Sequence, residues 1–113
     1  MKPDLRVYLL DDDNHRFFGE GPYRLLRAVE ETGSLRSAAL SMDMAYTKAL
    51  KLLRHAEAAV GAPLTERSTG GKDGGGSCLT PRGKELLTQY EAYRDQCAAA
   101  NREIYRQIFF SDR

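Results

Sequence analysis

Four kinds of side chain in this 113-residue sequence could do chemistry by type: the acid run Asp11-Asp12-Asp13, the cysteines Cys78 and Cys97, the histidines His15 and His55, and a glycine-rich stretch around Lys72. The acids suggest a calcium loop, but the alternation and closing glutamate of such a loop are missing, and Asn14 follows as in a solvated turn. The cysteines lack CxxC or Cys/His spacing, so neither a disulfide scaffold nor a zinc site is expected. His15 falls in a turn and His55 on an exposed helix face. No carboxylate pair, nucleophile with its base, or metal set has a recognisable spacing, so the expectation is no enzyme, no metal and no cofactor. The run from Thr69 to Gly76 lacks the GxxxxGK[ST] pattern and leads into a strand, which argues against a nucleotide loop. Its glycines suit a hairpin tip lying close to a nucleic-acid backbone, with Lys72 neutralising phosphate.

What remains is cationic. A helix is predicted from Ala45 to Val60, with Tyr46, Ala49, Leu50, Leu53, Ala56 and Val60 at core spacing. Thr47, Lys48, Lys51, Arg54 and His55 fall on its opposite face. Net charge is only +1, but it is unevenly spread: residues 34–84 carry +4, from eight Lys/Arg against four Asp/Glu, between flanks of −2 and −1. Folded onto one surface, those bases would offer phosphate a favourable field.

The elements that must position this face follow from local signals. Leu5 to Leu10 and Arg16 to Phe18 predict two short strands around the acidic turn. Pro22 suits a helix's first turn, and apolar spacing runs through Glu31 to a stop at Thr32-Gly33. Ser34 can cap a short helix from Leu35 to Ser41, and Met42-Asp43-Met44 breaks it before Ala45. Helix, tight turn and helix is the geometry that presents a helix to a major groove. Leu64 to Ser68 and Ser77 to Thr80 predict a hairpin beside the helix pair, a wing. Thr80 and Pro81 open a last helix whose Leu86, Tyr90, Tyr93, Cys97, Ala100, Ile104 and Ile108 form an apolar seam near period 3.5. About 28 residues of helix would reach roughly 42 Å, too long for so small a domain to cover, so burial against a second copy is expected.

The class that emerges is α+β: a winged helix-turn-helix with a long C-terminal dimerisation helix. It is read as one domain over 1–113, with an N-terminal hairpin (1–21), a helix-turn-helix and wing (22–80) and the long helix (81–110). Hydrophobic content of 42% and charged content of 29% are ordinary globular values. No apolar run is long enough to span a membrane and the start does not resemble a signal peptide, so a cytoplasmic chain is expected.

The order of elements and several motifs are similar to the N-terminal DNA-binding domain of ModE molybdate-responsive regulators, within the LysR-like winged-helix group. The likeness is carried by Glu31-Thr32-Gly33-Ser34 with Ala38-Ala39, by Met44-Ala45-Tyr46, by Pro63-Leu64 with Glu66-Arg67, by the glycine-rich wing, and by Leu79-Thr80-Pro81-Arg82-Gly83. This resemblance implies a homodimer, joined through the first and last helices, on a palindromic promoter site in double-stranded DNA. By position it implies that the helix beginning at Ala45 reads DNA, with Tyr46, Thr47, Lys48, Lys51 and Arg54 on it, Ser34 and Arg36 opening the supporting helix, and Arg67 and Lys72 on the wing. Relatives of this type carry molybdate-binding domains for which the sequence to Arg113 leaves no room, so no small-molecule effector is expected on it. A protein-interaction module on the same scaffold is the other reading, and indifference of binding to salt would favour it.

Overall fold

The computed structural model describes residues 1–68 and 76–110. A two-stranded antiparallel hairpin, β1 (Leu9–Leu10) and β2 (Arg16–Phe18), precedes three helices, α1 (Glu20–Thr32), α2 (Leu35–Ser41) and α3 (Tyr46–Val60). A second antiparallel hairpin, β3 (Thr65–Ser68) with β4 (Gly76–Leu79), leads into α4 (Pro81–Phe109).

Strand β1 is shorter than the sequence pattern predicts. Its partner β2 has only three residues, so Leu5 to Tyr8 have nothing to pair with and lie along α4 instead. There the Tyr90 hydroxyl donates to the Val7 carbonyl at 2.9 Å, and the Tyr105 hydroxyl donates to the Met1 carbonyl at 3.0 Å. Helix α1 begins earlier than Pro22 because the first four helical N–H groups have no intrahelical acceptor, so a proline third in line loses nothing.

The junctions carry the expected stops. Gly33 and Gly61 end α1 and α3 in the left-handed region, at φ 80° and 75°. Asp43 also has a positive φ, 52°, which turns the chain sharply between α2 and α3. Ser34 caps α2 by accepting from the Ser37 N–H at 2.9 Å.

Val29, Ala38, Ala49, Leu53, Ala56, Leu64, Leu79, Leu86, Leu87 and Tyr90 are buried in one core with Phe18 and the apolar face of α1. The small residues of α2 and α3 let these two helices approach closely, which fixes the angle at which α3 is presented. The wing is anchored at both ends. The Ser77 N–H donates to the Gly33 carbonyl at 2.7 Å, tying β4 to the α1–α2 corner. The Thr80 hydroxyl accepts from the Gly83 N–H at 3.0 Å and donates to the Pro63 carbonyl at 2.8 Å, so one side chain caps α4 and pins the start of β3.

Gly83 is required at that junction. A Cβ there would stand 2.2 Å from the Leu64 carbonyl oxygen, an overlap with backbone that a rotamer change cannot relieve. Gly83→Ala is therefore expected to destabilise the domain by about 1–3 kcal/mol in chemical denaturation, although alanine is the better helix former. An unchanged midpoint would mean that the wing's base yields freely.

The acidic turn also finds a structural use. One Asp11 carboxylate oxygen accepts from the N–H groups of Asp13 and His15, each at 2.9 Å, and the other lies 3.3 Å from His55 Nε2. These bonds, the His15 N–H foremost, hold the Asp11 carboxyl below its ordinary pKa. The hairpin is thus tied to α3, and the two histidines, separate in sequence, meet at one aspartate.

Candidate nucleic-acid interface

Helices α2 and α3 with the turn between them expose one continuous cationic face. Thr47, Lys48, Lys51 and Arg54 are exposed on the outer side of α3, and Arg36 is exposed near the start of α2. Arg67 is exposed on β3, opposite Ser77 in the ladder. Ser34 is half-buried as the α2 cap. Lys72 lies outside the described residues.

Pairing separates this face from the rest of the surface. Arg6, Arg27, Arg82, Arg94 and Arg106 each lie within 4.0 Å of a carboxylate. Among the described residues, no carboxylate comes that close to Arg36, Lys48, Lys51, Arg54 or Arg67. Their charge is not spent on internal partners. Helix α3 also begins at Ala45, which offers no side-chain cap, so its first-turn N–H groups and its positive dipole end face outward.

Tyr46 is a correction. Its helical spacing places it with the core, but Ala49, Leu53 and Ala56 fill that side and Tyr46 stays 36% exposed at the rim. Its ring lies under the Arg36 guanidinium, 4.3 Å from carbon to centroid. Sequence reasoning missed this stack, because ten intervening residues and a turn carry no periodic signal for it.

The seam on α4 also divides. Leu86 and Tyr90, expected to face a partner, are 4% and 2% exposed inside this chain's own core. They belong to the first turns of α4, which lie over the domain, where Tyr90 packs edge-on to Phe18 at 5.1 Å. Beyond them the helix leaves the domain, stretching the molecule to 65 Å. Tyr93, Ala100, Ile104 and Ile108 are exposed there and Cys97 is half-buried. Between the two stretches, α4 is pinned to α1: the Tyr23 hydroxyl and Arg27 both bond Glu91, and Arg94 bonds Glu20 at 3.0 Å. The Tyr23 hydroxyl first, then Arg27, hold the Glu91 carboxyl below its usual pKa.

The described residues contain no group of three or more His, Cys, Asp or Glu able to hold a metal ion, and no helix long and apolar enough to cross a membrane. The chain is 38% identical over 68 residues to a transcriptional regulator ModE of Haemophilus influenzae, a match covering 60% of this chain and 27% of that protein. It is 43% identical over 81 residues to a molybdenum transport protein ModE of Herbaspirillum seropedicae, covering 72% and 27%. The chain thus spans about a quarter of the length of these relatives. Among solved structures, the CbnR DNA-binding domain in its DNA complex superposes with a TM-score of 0.56 at 22% identity, over 71% of this chain and 86% of that one, which supports the winged-helix fold. Residues 22–84 match the bacterial regulatory helix-turn-helix proteins of the lysR family, and with helix, turn, helix and wing in that order the chain belongs to that family.

Proposed function

We propose that this chain binds double-stranded DNA as a homodimer and acts as a sequence-specific, non-enzymatic transcriptional regulator of the ModE type, in the cytoplasm. The observation that carries the reading is the set of exposed cations on α2, α3 and β3 without carboxylate partners among the described residues. Helix α3 enters a major groove with Thr47, Lys48 and Lys51 toward the bases or phosphates. Arg54, Arg36 and the hydroxyl of Ser34 lie toward the backbone, and the wing, with Arg67 and Lys72, lies along the flank. Two copies place their α3 helices roughly 34 Å apart, so the site is a palindrome with half-sites one helical turn apart.

Selection of bound duplexes from a random pool tests this. A palindromic consensus, bound more weakly as salt rises, is expected. Recovery of no consensus, or binding indifferent to salt, would overturn it and favour a protein partner.

The exposed run of α4 supports the dimer. Tyr93, Ile104 and Ile108 are 55%, 53% and 69% exposed, an apolar stripe that a second copy would remove from water. Cys97 and Ala100 continue it. A double substitution, Ile104→Asp with Ile108→Asp, is expected to shift sedimentation from dimer to monomer while leaving the far-ultraviolet spectrum helical. Retention of the parent mass would place the interface elsewhere.

A further inference from the structure

The Arg36–Tyr46 stack joins the second residue of α2 to the first residue of α3. Arg27 and Arg94 also lie over a tyrosine ring, that of Tyr23, but each is bonded to a carboxylate, Glu91 and Glu20 respectively. Arg36 has the ring and, among the described residues, no carboxylate within 4.0 Å. A ring face holds a guanidinium through its quadrupole and leaves the N–H edge free to donate. An arginine already held in place also loses less side-chain freedom when it binds.

We propose that Tyr46 is a positioning residue: its ring holds the Arg36 guanidinium edge-outward as a preformed clamp for one DNA phosphate beside helix α3. The proposal rests on the DNA-binding reading of this face. Tyrosine acts here through its ring and not its hydroxyl, so phenylalanine serves and leucine does not. A phosphate contact carries no base information. Its loss weakens all sequences alike and lowers the salt slope by about one.

The test uses the full chain, the duplex recovered by pool selection and a scrambled duplex of equal length, with anisotropy measured from about 50 to 200 mM salt. Thermal melting first checks that each variant folds; the exposed position of Tyr46 predicts parent-like melting. Tyr46→Phe is expected within about twofold of the parent and Tyr46→Leu about two- to fivefold weaker on both duplexes. Arg36→Ala is expected roughly tenfold weaker, with the lower slope. The double variant Arg36→Ala/Tyr46→Leu is expected to match Arg36→Ala alone, because the ring has nothing left to hold. Three results would overturn the clamp: Tyr46→Phe as weak as Tyr46→Leu, a double variant weaker than Arg36→Ala by the full Tyr46→Leu factor, or parent-like binding by Arg36→Ala. A parent that binds neither duplex in a salt-dependent way sinks the DNA reading itself, and the clamp with it.

Discussion

Replacing Lys48, Lys51 and Arg54 together with alanine is expected to weaken binding to the selected duplex by about two to three orders of magnitude and to lower the salt slope by nearly three. The three lie on one exposed face of α3, one turn apart, without carboxylate partners among the described residues. Each therefore contributes its whole charge to a phosphate or a base, and each contact released returns about one counterion to the DNA. Stability should move little. Alanine is the best helix former, and removing like charges at i, i+3 relieves repulsion within the helix. A thermal melt within a few degrees of the parent, beside a binding isotherm shifted by two decades, would separate lost recognition from lost folding. Parent-like affinity would move the reading face off α3 altogether.

Tyr90→Ala is expected to have the opposite signature, a collapse of the fold. Its ring is 2% exposed, packed against Phe18 and within 5.4 Å of the Tyr23 ring, and its hydroxyl holds the N-terminal segment through Val7. Truncating a buried aromatic costs about 3–5 kcal/mol, a large part of the stability of a domain this size. The transition in urea should shift far to lower concentration or disappear. Tyr90→Phe keeps the packing and leaves the Val7 carbonyl without its partner, for about 1–2 kcal/mol.

The same substitution has a consequence at alkaline pH. Burial first, then the neighbouring Glu20, pushes the Tyr90 hydroxyl from 10.0 up to about 12. Above pH 10 the unfolded chain releases a proton that the folded chain keeps, so folding loses stability as pH rises from 10 to 12. Tyr90→Phe has no such proton, and its stability should fall less across that window. Equal losses in the two proteins would show that Tyr90 ionises as freely folded as unfolded.

Much of the architecture is legible without coordinates, because it rests on local rules. Gly33 and Gly61 end helices as the only residues that take a left-handed backbone without strain, and Thr80-Pro81 starts one by cap and ring geometry. The cationic face of α3 is legible for the same reason. A period of 3.6 sorts Lys48, Lys51 and Arg54 away from Ala49, Leu53 and Ala56 whatever the rest of the chain does.

Periodicity says which side of a helix is apolar, but not what covers it or where the cover ends. For that reason Tyr46 was misplaced in the core and Leu86 and Tyr90 on a partner-facing seam: the small residues of α3 already fill the space next to Tyr46, and the domain extends just far enough to bury the first turns of α4. Residues distant in the chain come together only through packing, as Asp11 does with His55, Ser77 with Gly33, and Arg36 with Tyr46. The face that meets a phosphate is therefore set by the local sequence. Which of its cations is held ready was decided by the angle between α2 and α3, because that angle brings a ring from one helix under a guanidinium of the other.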